Sequence, residues 1–392
     1  MSAIQSESPA VSAAQLDDTA TPAPPAGEPD SPLARLSAEQ LEELGREFDA
    51  IHEQVFGDLG ERDARYIRAT IKLHRQLALA GRALLVGSRY RPLWLAGTAS
   101  LSIAKILENM EIGHNVMHGQ WDWMNDPDIN SQNWDWDTAS PADAWRHSHN
   151  YEHHTFTNIR GKDRDLGYEI MRIDPHQKWH PVYLLQPLYN LVLMGFFEWG
   201  VALHDINFDA VRSGEKPRSK VRAELKSIGV KARRQIVKDY IAFPLLSGRR
   251  GFKSTLAANF TANIIRNVWA YSIIFCGHFP DQTYTFSEDD VADETRGGWY
   301  VRQLLGAANI EGGALFHLLA GNLSFQVEHH LYPDMPSSRY AEIAPRVREV
   351  CRRYGLPYNT GPLHSQLGSV HRTIVRLAFP GGSPRPKPGP MV

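Results

Sequence analysis

Clustered histidines are the residues of this sequence whose types and spacing could do chemistry. Seven of the seventeen histidines fall in three short segments: His114 and His118, then His149, His153 and His154, then His329 and His330. Residues four apart share one face of an α-helix, so a pair at that spacing can approach one ion. Adjacent histidines point about 100° apart on a helix, so each can reach a different ion. The combined pattern predicts a site for two metal ions.

The abundance of histidine narrows the type of metal site, but it does not identify the metal. Imidazole suits Fe, Zn, Cu and Ni alike. The soluble di-iron bundle uses four Glu and paired Glu-x-x-His motifs, and the absence of that pattern from this sequence disfavours it. A soluble zinc hydrolase would need HExxH, or three ligands and an open position. The number of clustered histidines in this chain exceeds that requirement.

Bulk composition excludes some classes of function. The chain has 392 residues and a net charge of −2, which gives no reason to expect nucleic-acid binding. Cys276 and Cys351 are too few for a disulfide framework and are typical of a protein that faces a reducing cytoplasm. Few large apolar residues occur in 1–34, and the end at 376–392 is rich in Pro and Gly, so both predict disordered tails. We therefore expect residues 35–375 to form one domain.

The elements that must position the histidines read as helices. Ser37 with Gln40 predicts a capping box at the start of a surface helix that ends near Asp58. A second helix is expected over 62–86. The stretches 91–112, 182–203 and 255–276 approach the roughly 20 residues that a membrane-spanning helix needs. No alternating pattern predicts a sheet, so the expected fold class is all-α.

Hydropathy leaves the membrane question open. The three stretches contain charged residues such as Lys105, Glu198 and Arg266, which also fits a soluble helical protein with buried helices. The segment 212–238 is strongly basic. It fits either a solvated helical hairpin or a cytoplasmic loop that faces anionic lipid or an acidic substrate.

The three histidine boxes resemble those of a known family. The forms HxxxH, HxxxHH and QxxHH, in the strings GHNVMHGQWDWMNDP, HNYEHHTFTN and QVEHHLYPDMPSSRY, are similar to those of the integral-membrane fatty acid desaturases, particularly the bacterial acyl-CoA branch. The resemblance covers roughly residues 60–365. It implies about four transmembrane helices with a cytosolic helical cap, in a multi-pass protein of the cytoplasmic membrane whose catalytic face is cytosolic.

The same resemblance implies an activity and its cofactors. It implies two non-haem irons, O₂ as a co-substrate, and insertion of a cis double bond into an acyl-CoA chain. Likeness to actinobacterial stearoyl-CoA desaturases favours the 9 position of stearoyl- or palmitoyl-CoA. Because the sequence shows no haem, ferredoxin, flavin or convincing NAD motif, electrons from NAD(P)H are expected to arrive through a separate reductase.

The ligand set also follows from the resemblance. It makes the seven box histidines iron ligands, and it adds His278 in the string FCGHFPD, since animal members end their fourth transmembrane helix with a histidine. Those enzymes begin box three with His where this chain has Gln326. Gln326 is therefore expected to bind iron directly or through water, and Asn322 to ligate or to support a ligand.

Other residues near the boxes receive supporting roles. Face counting turns His147 and His317 away from the metals, and we expect these two and His204 either to be structural or to support a ligand. The residues expected to orient the imidazoles are, besides Asn322, the carboxylates of Glu108, Glu111, Glu152, Asp163, Asp165 and Glu328. The tryptophans between the first two boxes either anchor the chain at an interface or wall an acyl tunnel: Trp121, Trp123, Trp134, Trp136 and Trp145.

Two other functions use similar residues. A membrane di-iron hydroxylase of an alkane, sterol or carotenoid would carry the same boxes. A non-enzymatic membrane metal transporter or metal-binding protein would favour acidic and histidine pairs inside several clean spans. Analysis of the lipid products separates these alternatives from a desaturase.

Overall fold

The fold is built almost entirely from helices. A computed structural model describes residues 31–383 and residue 387. Its α-helices are α1 (Ala38–Gly57), α2 (Glu61–Val86), α3 (Arg91–Leu107), α4 (Asn115–Met117), α5 (Ala142–Trp145), α6 (His154–Phe156), α7 (Gln186–Gly195), α8 (Phe197–His204), α9 (Phe208–Ser213), α10 (Arg218–Ile236), α11 (Phe243–Leu246), α12 (Gly248–His278), α13 (Arg296–Gly306), α14 (Ala314–Leu319), α15 (Gln326–Leu331), α16 (Tyr340–Arg353) and α17 (Leu363–Leu377).

Other elements are short. Three segments wind as π-helices, at Glu108–His114, Arg146–His153 and Val237–Ala242. The strands β1 (Asn309–Glu311) and β2 (Thr360–Pro362) form one parallel pair. Single 3₁₀ turns lie at Leu33–Arg35, Asp122–Met124, Leu166–Glu169, Pro181–Leu185, Asp289–Val291 and Ser337–Arg339. The expected all-α class is confirmed, since the described strands are only three residues long.

Four long helical segments make a bundle of two hairpins. The first hairpin is α2 with α3, and the second is α10 and α11 with α12. Their turns lie at the same end, where Ser88 Oγ is 2.8 Å from Thr255 Oγ1 and Ser247 Oγ donates to the Leu85 carbonyl at 3.1 Å. The other ends of α3 and α12 therefore lead to the opposite end of the bundle, and there they carry His114 and His278.

The third long segment of the bundle differs from the predicted one. The stretch 182–203 is not one helix, because a 3₁₀ turn comes first and the backbone of Phe196, at φ −120° and ψ 33°, separates α7 from α8. Asn267 donates to the Gly195 carbonyl at 2.9 Å, which stabilises that break. The basic segment supplies the long helix instead, as α10. Its π turn precedes Pro244, which has no N–H to continue regular α-helical bonding.

The outer face of the helices is rich in apolar side chains. Among the exposed ones are Leu79, Leu188, Val192, Leu245 and Leu246. None of the helices in the described part of the chain combines the length with the hydropathy that a bilayer crossing requires. The four transmembrane helices of the sequence-based expectation stay a prediction.

A cap of helices covers the histidine end of the bundle. Helix α1 begins with the predicted capping box of Ser37 and Gln40. It packs on α13 and α16 through buried residues that include Phe48, Tyr300 and Ile343. The contact with α13 is close, because a Cβ added at Gly297 would lie 1.8 Å from the Leu41 carbonyl oxygen.

The structure describes only parts of the predicted tails, 1–34 and 376–392. Residues 1–30, 384–386 and 388–392 lie outside the described part of the chain. Leu33 and Leu377, which fall at the inner ends of the predicted tails, are buried in the fold.

Candidate metal centre

Two of the histidine boxes adjoin π-helical turns that their spacing did not predict. Glu108–His114 extends α3, and Arg146–His153 follows the single turn of α5. Hydrogen bonding in a π-helix runs from i to i+5, and such turns are frequent at functional sites. His149 and His153 therefore share a face by a wider winding than the one assumed. In box one the His118 N–H donates to the His114 carbonyl at 3.1 Å, as in the expected α-helix, and the third box lies on the short helix α15.

Two groups of imidazoles meet at the centre of the cap. In the first, the ligand atoms of His114, His118, His149 and His329 lie within 4.8 Å of one another. In the second, those of His153, His154 and His330 do the same. The groups adjoin, since the ring centroids of His118 and His154 are 4.7 Å apart. Adjacent His329 and His330 fall in different groups, whereas adjacent His153 and His154 fall in the same one.

His278 and Gln326 complete the second group. The ring centroid of His278 lies 4.7 Å from that of His153 and 4.9 Å from that of His330. Gln326 Nε2 lies 3.0 Å from His278 Nε2, so its side chain reaches the group. Gly277 leaves room for that side chain, because an added Cβ would meet Gln326 Cγ at 2.8 Å.

Hydrogen bonds to one ring nitrogen orient many of these imidazoles. The Nδ1 atom of His153 is 3.0 Å from Asp163, that of His149 is 3.2 Å from Asp165, and that of His330 is 3.0 Å from Gln303 Oε1. His329 Nδ1 donates to the Tyr340 hydroxyl at 3.1 Å, since that hydroxyl in turn donates to the Tyr332 carbonyl. With Nδ1 protonated and held, Nε2 keeps a lone pair for a metal.

Most of the other ring nitrogens have no partner among the described residues, although Nε2 of His114 and Nε2 of His149 lie 3.2 Å apart. Those that are buried and unbonded are Nε2 of His118, His153, His154, His329 and His330, together with Nδ1 of His154 and His278. A buried polar atom without a hydrogen bond is costly, and a cluster of them on one cavity needs an explanation. Coordination to metal ions supplies it, and the imidazole-rich donor set fits iron.

Electrostatics keeps most of the rings in their metal-binding form. Burial lowers the pKa of His114 to about 3, and the neighbouring imidazoles add to the effect. For the same reasons the pKa lies well below its ordinary value at His118, His154, His278, His329 and His330. Neutral imidazole is the ligand form, so the site is prepared for cations without first losing protons.

His153 is the exception, and its partner explains why. Burial lowers the pKa of His153, but the hydrogen bond and charge of Asp163, together with the charge of Asp165, outweigh it, so the pKa lies above its ordinary value. Asp163 also accepts from the backbone N–H groups of Asn158 and Asp165 at 2.7 and 2.9 Å. Asp165 accepts from His204 Nε2 at 3.0 Å. One acidic loop thus holds His149 and His153 and ties them to His204.

An enclosed apolar cavity reaches the first group of histidines. Met110, Tyr168, Phe197, Val201 and Ile274 line it, and His114 and His149 form part of its wall. Trp145 closes one side and stacks on His149, with ring centroids 4.6 Å apart and planes 23° from parallel. An apolar chain in this cavity would lie against the imidazoles with water excluded.

The remaining predicted residues lie elsewhere. Asn322 donates to Glu111 at 3.0 Å and to the Tyr66 hydroxyl at 3.2 Å, so it braces the turn before α15 and contacts none of the grouped imidazoles. His147 is mostly exposed, and His317 bonds Ser324. Among the seven residues expected to orient imidazoles, Asp163 and Asp165 are the two that bond the grouped histidines. The others bond other partners: Glu108, Glu111, Glu152, Glu328 and Asn322.

Three supporting residues carried no signal in the sequence. Gln303 and Tyr340 bond the third-box histidines, and Asn115 lies with its Oδ1 3.1 Å from His114 Nδ1. Gln303 and Tyr340 belong to helices that are distant along the chain from the boxes they serve. Only the motif position of Asn115, next to a box histidine, could have suggested it.

Comparison with known proteins agrees with this geometry. The sequence matches the fatty acid desaturase family over residues 92–362. It is 48% identical over 351 residues to the NADPH-dependent stearoyl-CoA 9-desaturase of Mycobacterium tuberculosis, which covers 89% of this chain and 82% of that protein. It is 26% identical over 287 residues to the sn-1 linoleoyl-lipid 6-desaturase of Synechocystis, covering 69% of this chain and 76% of that protein.

A more distant relative spans more of this chain. The acyl-lipid (7-3)-desaturase of Rebecca salina is 24% identical over 330 residues, covering 82% of this chain and 71% of that protein. No solved structure matches the chain. The family match covers well over half of the sequence and contains all three histidine boxes and His278. The chain therefore belongs to the fatty acid desaturase family.

Proposed function

We propose that this protein is an O₂-dependent acyl-CoA desaturase that inserts a cis double bond, at the 9 position named for its M. tuberculosis relative. Stearoyl-CoA or palmitoyl-CoA is the proposed substrate. The observation that carries the proposal is the pair of adjoining imidazole groups with buried, unbonded nitrogens, beside an apolar cavity that His114 and His149 line.

The residues that would hold two irons follow from the geometry. His114, His118, His149 and His329 would hold one ion, and His153, His154, His278 and His330 the other. Gln326 would bind the second ion directly or through water, because its side chain lies at His278. Asn322 would support the ligands indirectly, because it bonds Glu111 and braces the turn before α15. Two irons held by these residues would supply the oxidising chemistry, drawn from O₂ and two external electrons, that an unactivated C–H bond requires.

The residues of the chain position the substrate, orient the ligand histidines and exclude water. Asp163 and Asp165 fix the tautomers of His153 and His149, so that Nε2 of each ring faces inward. The cavity that Met110, Phe197 and Ile274 line would hold the acyl chain beside His114. Trp145 covers the rings on the cavity side and keeps water from the reacting carbon atoms.

Electrons must come from outside this chain. Its sequence contains no haem, flavin or iron–sulfur motif. The relative from M. tuberculosis is named as NADPH-dependent. We therefore assign the electrons to NADPH by way of a separate reductase, which approaches the cap.

We also place the protein on the cytoplasmic membrane with the cap on the cytosolic side. Exposed large apolar side chains on α2, α7 and α11 support membrane contact, namely Leu79, Leu188, Val192, Leu245 and Leu246. Two hairpins with turns at one end would return the chain to the side of the histidines. A multi-pass arrangement of four helices is the topology we propose.

Product analysis tests the proposed function. The protein is expressed with a bacterial reductase, and fatty acids are analysed by mass spectrometry with double-bond location. The expected product is a cis monoene with its double bond at the position named for the M. tuberculosis relative. The control carries His153→Ala. A hydroxylated product would assign the chain to a hydroxylase, and unchanged lipids with reversible metal exchange would assign it to a metal-binding protein.

A further inference from the structure

A second, open cleft lies between the helices of the bundle, outside the histidine site. Its volume is about 760 Å³, and α2, α3 and α10 form its walls. It adjoins the apolar cavity only across the loop that contains Trp136 and Thr138, which line both. None of the histidines of the two metal groups lines it. The proposed desaturation uses no residue of this cleft.

The charge of the cleft is predominantly positive. Six basic side chains line it: Arg75, Arg82, Lys105, Lys231, Arg234 and Lys238. Three of its lining residues are acidic, namely Glu108, Asp135 and Asp137. A fourth carboxylate, Asp239, lies buried behind the wall and bonds Arg82 at 2.6 Å and Lys105 at 2.9 Å.

The pairing of these charges leaves two cations without a counter-ion. Lys231 pairs with Asp135, and Lys238 pairs with Asp137. Arg75 on α2 and Arg234 on α10 are exposed, and neither bonds a carboxylate among the described residues. A guanidinium offers a planar fork of donors that matches phosphate oxygens. Two arginines that line one cleft without a carboxylate partner therefore offer donors to an anion.

Apolar side chains also line the same cleft. Leu79, which is 74% exposed, and Leu101 line it one helical turn from Arg75 and Lys105 respectively. Phe243 lines it as well, with the guanidinium of Arg82 3.8 Å from its ring centroid. The cleft thus places apolar side chains beside its cationic ones. That combination fits a ligand with an anionic head and an apolar tail.

We propose that this cleft binds the phosphate group of an amphiphile, with Arg75 and Arg234 as the phosphate ligands and the tail along Leu79. Two sources share that chemistry: an anionic phospholipid of the membrane and the coenzyme A end of an acyl substrate. The exposed Leu79 favours the phospholipid, since it leaves the tail end of the cleft open to a bilayer. The site lies outside the iron centre and does not depend on the proposed reaction.

Binding to the full-length purified protein in a neutral detergent tests the proposal. The probes are dihexanoyl-phosphatidylglycerol, dihexanoyl-phosphatidylcholine as the net-neutral lipid, and coenzyme A without an acyl chain, each titrated by calorimetry. The double variant R75A/R234A should weaken phosphatidylglycerol binding roughly thirtyfold, since basic side chains contribute most of the attraction to an anionic head group. Phosphatidylcholine binding should change little.

The control removes the same charge from the same helices. Arg65 on α2 and Arg233 on α10 are exposed and do not line the cleft. R65A/R233A should bind phosphatidylglycerol as the unaltered protein does, and the charge-conserving R75K/R234K should keep most of the affinity. Because all four arginines are exposed, these variants should fold.

Each result below either supports the proposed phosphate site or overturns it. Loss of phosphatidylglycerol binding in R75A/R234A alone supports the site and assigns it to lipid. Loss of coenzyme A binding in that variant alone supports the site and assigns the phosphate to the acyl carrier. Equal binding by R75A/R234A and R65A/R233A for both probes overturns the proposal. Since the readout is binding, a protein without desaturase activity would still give a valid answer.

Discussion

At the scale of the residue, the site depends on which nitrogen of each imidazole is free. Carboxylates, amides and a hydroxyl bond Nδ1 of several rings, while Nε2 is buried without a partner in five rings, namely those of His118, His153, His154, His329 and His330. Rings that are held in one tautomer present a lone pair at a fixed position. The ligand set can therefore be tested one side chain at a time.

Removal of any grouped histidine should release metal and abolish activity. We expect two irons per chain in the unaltered protein, measured by metal analysis and Mössbauer spectroscopy. His154→Ala, which removes a buried ring with two unbonded nitrogens, should lower activity roughly 100-fold or more. His147→Ala and His317→Ala are the matched controls and should retain iron. A purified active protein that holds one zinc and no iron would contradict the assignment.

The acidic loop allows a subtler test. Asp163→Asn keeps the size of the side chain but removes the charge that faces His153 at 3.0 Å. Loss of such a partner typically costs 10- to 100-fold in metal affinity. Iron affinity, measured by competition with a chelator, should fall by about that factor. Asp143→Asn is the control, since the Asp143 side chain is 94% exposed. Equal affinity in both variants would remove Asp163 from the site.

At the scale of the element, the cap depends on the close approach of α1 and α13. Leu41, Gly45, Gly297 and Gly298 lie at or beside this contact, and Gly45 is also within 3.4 Å of Gly297 when given a Cβ. Backbone faces backbone there, so an added methyl group cannot be accommodated by a change of rotamer.

Two neighbouring glycines give a matched pair of variants. Gly297→Ala places a Cβ 1.8 Å from the Leu41 carbonyl oxygen and forces α1 away from α13. We expect a loss of roughly 1–3 kcal/mol in the free energy of unfolding, as for other overpacked sites. Gly298→Ala meets only side-chain atoms at 3.4 Å and should change stability by about 0.5 kcal/mol or less. Thermal unfolding measures both, and equal melting temperatures would contradict the packing of the cap.

At the scale of the whole molecule, activity should require a second protein. Purified chain given NADPH, O₂ and stearoyl-CoA should form no monoene, because the sequence has no carrier that passes electrons from NADPH to iron. Addition of a reductase should restore turnover, followed by mass spectrometry of the product. Sustained turnover by the chain alone would show that an electron path exists within it.

The arrangement of the two hairpins leads to a prediction about location. Their turns meet at one end, and the cap with the grouped histidines lies at the other, so the cap and both termini should share one side of a membrane. We expect the protein to resist extraction by alkaline carbonate. We also expect protease to cut tags at the two termini only in inside-out vesicles. Release of folded protein into the supernatant would contradict membrane integration, and opposite termini would contradict an even number of crossings.

The sequence by itself determined the features that depend on near neighbours. The identity and spacing of the box histidines, the capping box of Ser37 and the family follow from residues a few positions apart. A local pattern is enough there, because helical spacing and side-chain chemistry act over one or two turns. The length of α2 was also predictable to within a residue at each end.

The tertiary structure decided everything that depends on distant partners. The spacing could not indicate that π-helical turns end at His114 and at His153. Nor could it divide seven histidines between two groups, break 182–203 at Phe196, or turn a basic segment into the wall of a cleft. Those outcomes follow from long-range contacts, whose free energies exceed the small local preferences that a sequence pattern reports.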